Sequence, residues 1–261
     1  MDPKPPITTT RGQYIMEYPI LNQQTVRDQL SGDEENRHSW KAPSELPFRG
    51  PLLRVWNRNS GSRPEEDGRM IARDQNMCLG SSQSRRESLS IHVDHGNWSK
   101  GTPYISFTNS ETRIEELIQK WSKKGRKDFM LTAINPNIRI RKGLPILDVT
   151  AEMNRYEIED PYGREGEYYK DEYVCLWQVT TDEIIGHWEW NELKYDLDWY
   201  QKIYGAYIKH NTSEIDKEDG ASIKSKAANS KEDDINELGK NFSLISIDET
   251  DSEVVENSAL D

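Results

Sequence analysis

Four polar side chains interrupt short segments that otherwise have the character of apolar strands. They are Arg54, Ser106, Thr108 and Glu172. A guanidinium binds anionic oxygens and a carboxylate stabilises a neighbouring positive charge, so side chains of these types can bind a charged ligand. Each also has a structural explanation, because an edge-strand arginine or a strand-end carboxylate can face solvent and a hydroxyl can bond the backbone.

Signatures of metal and nucleotide loops are absent from the sequence. His92 and His95 are three residues apart, without a third histidine or cysteine at ligand spacing, so a structural pair is favoured over zinc and no metal site is predicted. The sequence has no Gly-x-x-x-x-Gly-Lys phosphate loop, no Gly-x-Gly-x-x-Gly dinucleotide loop and no Gly-x-Ser-x-Gly nucleophile turn. Cys175 is interpreted as a small buried hydrophobic residue.

The elements that must position the four polar residues are visible as patterns. Strands are predicted at 52–56, 104–108, 129–134, 139–140, 144–149, 172–178 and 184–190. A long loop is predicted over 57–88. One helix follows Ser110, a natural N-cap, and a second covers roughly 191–209. Many short strands with two helices predict an α+β domain.

Charge divides the 261 residues into three parts. The whole chain has a net charge of −12, but residues 211–261 alone hold 14 acidic and 5 basic side chains. That composition is typical of disorder, so 211–261 is predicted to be a disordered acidic tail. Residues 1–45 are interpreted as a polar, loosely attached N-terminal arm. Seven of the eight tryptophans fall within 46–210, which is predicted to form the folded domain.

Bulk properties also restrict the partners and the compartment. No run of apolar residues is long enough to span a membrane, the first residues lack the apolar segment of a secretory signal, and two cysteines cannot form a disulfide framework. A cytoplasmic or nuclear location is therefore the simplest expectation, with a secreted mature form as the alternative. The absence of a basic excess argues against a nucleic-acid partner.

Three motifs occur in an order that resembles a known family. They are Leu52-Leu53-Arg54, the segment Tyr104-Ile105-Ser106-Phe107-Thr108 with a helix directly after it, and Glu172-Tyr173-Val174-Cys175-Leu176. The order resembles the mono-ADP-ribosyltransferase fold of the cholera-toxin and heat-labile-enterotoxin A-subunit class. Ser62-Arg63-Pro64 is similar to a further motif of that class. The resemblance covers roughly 47–190, and the chain also resembles an uncharacterised fungal domain family with the same layout.

The resemblance implies split antiparallel β-sheets with flanking helices and a site that cleaves the nicotinamide–ribose bond of NAD. Glu172 would stabilise the oxocarbenium-like transition state, and Arg54 would pair with an NAD phosphate or ribose oxygen. Ser106 would hold Glu172 by a hydrogen bond, and Thr108 would support the strand. The site residues Tyr168 and Tyr169 could stack on nicotinamide or meet an acceptor.

One position departs from the family pattern. Lys170 stands two residues before Glu172, where arginine-modifying members carry their first glutamate. Arginine-directed transfer is therefore not expected, and Asp171 would point to the opposite face of a regular strand. The open alternatives are transfer to another, unknown protein acceptor, hydrolysis of NAD alone, or a catalytically inactive domain that serves as a binding or regulatory module.

The predicted tail contains a short apolar run, Leu244-Ile245-Ser246-Ile247, followed by acidic residues. This pattern resembles a SUMO-interacting motif, which adds a strand to the edge of a partner's sheet. The alternative is an unstructured, solubilising tail.

Overall fold

The computed structural model describes residues 19–41, 48–163 and 167–212 and confirms the predicted α+β class. Its strands are β1 (Leu52–Trp56), β2 (Met70–Ile71), β3 (Tyr104–Thr108), β4 (Met130–Ile134), β5 (Ile146–Asp148), β6 (Glu172–Leu176), β7 (Gln178–Val179) and β8 (Ile184–Glu189). Its helices are α1 (Gln23–Leu30), α2 (Asp33–Arg37), α3 (Ser82–Val93), α4 (Glu111–Lys123), α5 (Pro136–Arg141), α6 (Val149–Arg155), α7 (Trp190–Leu193) and α8 (199–212). Among these helices, none is both long enough and apolar enough to cross a bilayer.

Six strands form an antiparallel sheet in the order β5-β6-β3-β1-β4-β8, and β2 pairs separately with β7. Five residue pairs join β3 to β6 and five join β1 to β4. Between the central strands β1 and β3, however, only Leu53 and Thr108 are in register. The sheet therefore consists of two three-stranded halves that part beyond this pair.

Helix α4 forms as its sequence predicts. Ser110 caps its N-terminus, because the Ser110 side chain accepts a hydrogen bond from the Arg113 amide. Ile114 and Ile118 lie buried in a core cluster with Leu53 of β1. The helix therefore covers the β1 half of the sheet beside the gap.

The prediction of a loop over 57–88 is wrong at its end, where helix α3 begins at Ser82. Ser81 caps this helix through a capping box with Ser84. Its buried face includes Arg85 and Ser88 as well as apolar residues, so the helix lacks the apolar stripe by which a sequence pattern is recognised. Strand β2 also falls within the predicted loop.

Three other predicted elements differ from the structure. Residues 139–140 belong to helix α5 and not to a strand, because Asn135 caps the helix and Pro136 opens it. The strand predicted over 172–178 is interrupted at the buried Trp177, whose φ of 58° breaks the extended backbone between β6 and β7. The single helix predicted over 191–209 is two helices, α7 and α8, with a turn between them.

Residues 19–41 are not a loosely attached arm, which corrects the prediction for that part of 1–45. Leu30 and Trp40 are buried in the same core cluster as residues of α3, α6 and β6. The fully buried Arg85 of α3 donates to the His38 carbonyl and stacks on Trp40 at 4.1 Å. Residues 1–18, together with the tail beyond residue 212 and its apolar run, lie outside the described residues.

One glycine makes the contact with residues 19–41 possible. A Cβ atom at Gly80 would lie 2.0 Å from the Ser31 carbonyl oxygen, far inside van der Waals contact. The two backbones are joined here by hydrogen bonds from the Leu79 amide to the Gln29 carbonyl and from the Glu34 amide to the Gly80 carbonyl. Any side chain at position 80 would separate them.

Candidate functional site

A cavity of about 520 Å³ lies where the two halves of the sheet part. Its volume is within the range of small-molecule sites. Five of the six predicted site residues line it, namely Arg54, Ser106, Thr108, Tyr168 and Glu172. Residues that are about 120 positions apart in the chain therefore meet in one cavity.

Arg54 lies in the gap between β1 and β3. Its Nη1 donates to the Ser106 carbonyl at 2.9 Å, and its Nε and Nη2 donate to the Ser62 carbonyl at 3.3 and 3.0 Å. A guanidinium has five N–H groups, so two of them remain for a ligand. Burial lowers the pKa of Arg54 to about 10, and the opposite charge of Glu172 limits that decrease. Arg54 therefore bridges β1 and β3 at the gap and keeps its charge at neutral pH.

The register of β3 against β6 brings the hydroxyls to the carboxylate. Thr108 lies directly opposite Glu172, and Ser106 lies opposite Val174 on the same face. The Ser106 hydroxyl lies close enough to the Glu172 carboxyl to act on it as a donor and lower its pKa. The Thr108 side chain accepts from the Ser110 amide at 3.1 Å, so it fixes the turn into α4.

His92 of α3 hydrogen-bonds Ser106 and so belongs to the site. The sequence pattern did not identify it as a functional residue. Its Nε2 lies 2.8 Å from the Ser106 Oγ, and its Nδ1 lies 3.1 Å from the Thr102 Oγ1. Burial lowers the pKa of His92 to about 3, with a further contribution from neighbouring positive charges, so the ring is neutral at pH 7. When Ser106 donates to Glu172 it accepts from the His92 Nε2–H. The ring then fixes the Ser106 hydroxyl in the orientation that Glu172 needs.

Glu172 is the lining carboxyl that the motifs bring beside Ser106 and Thr108. Burial raises the pKa of its carboxyl to about 7, while the Ser106 hydrogen bond and the charges of Arg113 and Arg54 act in the opposite direction. The side chain is partly accessible and lines the cavity. A carboxyl with this pKa changes its charge near neutral pH, so a positive ligand beside it would favour the ionised form.

The two predicted tyrosines have different environments. Tyr168 lines the cavity, and the cations of Arg113 and Lys120 lie 4.0 and 4.7 Å from its ring centroid. Tyr169 is fully buried, and its hydroxyl donates to the Val93 carbonyl at 2.7 Å. Tyr169 therefore belongs to the core, which corrects its place among the predicted ligand-binding residues.

Other aromatic rings offer more surface to a ligand than Tyr168 does. Tyr162 lines the cavity, is 39% exposed and is stacked with His95, with 6.2 Å between the ring centroids. Trp98 is 52% exposed and has the Arg73 guanidinium 4.8 Å from its ring centroid. Both aromatic residues are in loops, where a sequence pattern gives no sign of a shared cavity.

The lining of the cavity is basic although the chain is acidic. Two acidic side chains, Asp94 and Glu172, line it. Six basic side chains line it as well: Arg54, Arg73, Arg113, Lys120, Lys124 and Arg126. Clefts of one charge sign concentrate ligands of the opposite sign, so the cavity favours an anionic ligand.

Lys170 is exposed, lies in the turn before β6 and is not among the residues that line the cavity. Asp171, beside it, has a φ of 62° and is also exposed. Neither residue is in the regular strand that the sequence suggests. Position 170 therefore supplies neither a carboxylate nor a blocking side chain to the cavity.

Comparison with known proteins gives one match. A family model described as "Domain of unknown function (DUF7587)" matches residues 48–193, more than half of the chain. Every residue that lines the cavity lies within this segment. No curated protein and no solved structure matches the chain.

Proposed function

Because the chain belongs to the DUF7587 family, whose description leaves the chemistry open, we propose from the cavity itself that the protein binds NAD and cleaves its nicotinamide–ribose bond. One observation carries the proposal. Arg54, Ser106 and Glu172, which resemble the motifs of mono-ADP-ribosyltransferases, line one cavity at the gap between β1 and β3.

Glu172 would act on the charge that develops during cleavage. The C1′–N1 bond breaks, the electron pair leaves with nicotinamide, and the ribose becomes an oxocarbenium-like cation. An ionised carboxylate beside that cation stabilises it more than it stabilises the uncleaved substrate. The positive nicotinamide ring of NAD also favours the ionised form of Glu172, whose pKa of about 7 makes either state accessible.

Arg54 and His92 would position the reacting parts. The two N–H groups of Arg54 that are not bonded to backbone carbonyls can bind a phosphate or ribose oxygen of NAD. His92 would act as a positioning residue, since it holds Ser106 and Ser106 holds the carboxyl of Glu172. Tyr162, which lines the cavity and is 39% exposed, would stack on nicotinamide.

The acceptor is water or a group without positive charge. A guanidinium acceptor would have to enter a cavity lined by six basic and two acidic side chains. The usual carboxylate partner for such an acceptor is also missing, because position 170 is a lysine outside the cavity. Both facts disfavour transfer to arginine.

The test is nicotinamide release from NAD by the full chain, together with NAD binding by calorimetry. Glu172→Gln keeps the shape of the side chain and removes the charge, so release should fall by about 10²–10³-fold, as for other lost transition-state contacts. The matched control is Glu189→Gln, which changes an exposed glutamate at the end of another strand and should leave release unchanged.

The other results of the release and binding measurements decide between the alternatives. The absence of both release and binding overturns the proposal. Binding without release supports the alternative of a catalytically inactive binding module. Release that survives Glu172→Gln removes Glu172 from its assigned role.

A further inference from the structure

The basic run 120–127 has no role in NAD cleavage as described above. Five of its eight residues are Lys or Arg and none is acidic. Lys120, Lys124 and Arg126 line the cavity that also contains Glu172. Resting on the proposed function, we propose that this edge binds single-stranded nucleic acid, and that a base of the strand receives the ADP-ribosyl group.

Helix α4 arranges positive charge along one face. Arg113, Leu117 and Lys120 of the helix and Lys124 at its C-cap follow one another at i, i+4, i+7 and i+11, and all four line the cavity. Eleven residues of helix span about 16 Å. Arg113, at the inner end, is close enough to Glu172 to act on its ionisation. A row of cations therefore leads from the reacting carboxylate to the outer edge, where a polyanion can lie along it.

Aromatic side chains that are partly or largely exposed lie beside these cations. Trp98 and Tyr162 are 52% and 39% exposed, and Trp121 is half-buried with the Arg126 guanidinium 5.2 Å from its ring centroid. All of these residues line the cavity. Bases of a single strand stack on such rings, whatever their sequence, while cations bind the phosphates. An acidic peptide would use the charges but not the rings, so the combination favours a nucleic-acid strand.

The overall charge of the chain conceals this surface. The expectation against a nucleic-acid partner depends on a net charge of −12, and residues 211–261 contribute −9 of it. The cavity lining has the opposite balance, with six basic and two acidic side chains. Local charge at the site, and not the sum over the chain, decides what binds there.

The transfer balances without another reactant. The C1′–N1 bond of NAD breaks and nicotinamide leaves with the electron pair. A base nitrogen that carries hydrogen forms the new bond to C1′, and its proton passes to the Glu172 carboxylate and then to solvent. The products are nicotinamide, the ADP-ribosylated strand and one proton.

The experiment uses the full chain, NAD labelled in its adenylate phosphate, and short single-stranded DNA and RNA oligonucleotides. Strand binding is followed by fluorescence anisotropy and strand labelling by gel electrophoresis. The test variant is Lys124→Glu with Arg126→Glu, and the matched control is Lys123→Glu with Lys127→Glu. The control residues belong to the same run and are exposed, but they do not line the cavity.

We expect the wild-type chain to label the oligonucleotide. The test variant should bind the strand about tenfold or more weakly and should lose labelling, because two phosphate contacts become repulsive. The control pair should bind the strand almost normally at about 0.15 M salt, where distant charges are screened.

Three results would overturn the inference. Labelling of an acidic peptide and not of the oligonucleotide would assign the edge to a protein acceptor. If both variant pairs lost strand binding equally, the strand would be attracted by the general positive charge of the run and would not bind at the cavity. Strand binding that neither pair changes would place the strand elsewhere. If nicotinamide release fails but the test pair alone loses strand binding, the proposed function falls and the binding edge stands.

Discussion

Among the arginines of this domain that face glutamates, the fully buried Arg139 and the partly buried Arg54 differ in how completely their hydrogen bonds are satisfied. Arg139 and Glu183 are both fully buried and form an ion pair of 2.8 Å. Arg139 also donates to three backbone carbonyls, those of Pro145, Leu176 and Gln178. The other carboxylate oxygen of Glu183 accepts from the amide and hydroxyl of Thr180. Here the charge of Glu183 prevails over burial and raises the pKa of Arg139.

Arg54 and Glu172 have the same chemistry but a different arrangement. They attract each other across the cavity without forming an ion pair, and burial lowers the pKa of Arg54 to about 10 and raises that of Glu172 to about 7. Two N–H groups of Arg54 have no hydrogen-bond partner in the described structure. Arg139 uses four of its five N–H groups and, with Glu183, holds the fold together, whereas Arg54 uses three beside a cavity and leaves binding capacity for a ligand.

The largest expected effect comes from breaking the ion pair between Arg139 and Glu183. Arg139→Met removes one charge and leaves Glu183 buried, so the free energy of unfolding should fall by about 3–5 kcal/mol. Arg54→Met should cost about 1–2 kcal/mol, since it loses hydrogen bonds to carbonyls but no close ion pair. Urea unfolding of both variants measures the difference. If the free energy of unfolding fell equally in both variants, the two arginines would contribute equally to stability.

A smaller effect, the pH dependence of stability, distinguishes Glu172 from Glu183. The pKa of Glu172 is about 7 in the folded chain, above its ordinary 4.5, so the folded state binds this proton more tightly. The corresponding stability is present below pH 4.5 and is lost as pH rises through about 7. Glu172→Gln removes the group whose ionisation costs stability at high pH. The variant should therefore be more stable by about 1–3 kcal/mol at pH 8, with little effect near pH 4.

The control for that measurement is Glu183→Gln. It breaks a buried ion pair and should destabilise the protein at pH 8. A Glu172→Gln variant that gains as much at pH 4 as at pH 8 would contradict the assigned titration. Thermal unfolding of both variants over this range gives the answer.

The smallest expected effect concerns position 170. Lys170→Glu restores a glutamate two residues before Glu172, but the side chain lies in an exposed turn outside the cavity. Nicotinamide release should change by less than about twofold, because an exposed charge acts weakly through water. Transfer to agmatine, a small guanidinium compound, should not appear. If it does appear, the turn reaches the site in the working enzyme.

The sequence is informative where polar and apolar residues keep to separate faces. Helix α4 and strands β1 and β3 follow from Ile114, Ile118 and the short apolar runs around Arg54 and Ser106, because burial and periodicity agree there. The three residues with motif character could therefore be named in advance. Their convergence could not, since it depends on the single register pair that joins β1 and β3.

The elements and site residues that the sequence did not predict have one physical cause in common: the fold buries polar side chains there. Arg85, Ser88 and His92 lie on the inner side of α3, so the helix does not show an apolar stripe. In α5, the buried Arg139 lies between two isoleucines and produces the alternation typical of a strand. His92 was interpreted as half of a structural pair because its partners, Thr102 and Ser106, are distant in the sequence.

The packing of residues 19–41 determines where the chain can be cut. A fragment limited to the matched segment 48–193 would lack Trp40, which is 2% exposed, and also Ile203 of α8, which is fully buried. Removing them would uncover apolar surface in two core clusters, and such surface promotes aggregation. A fragment for expression and crystallisation therefore has to include residues 19–41 and extend to residue 211.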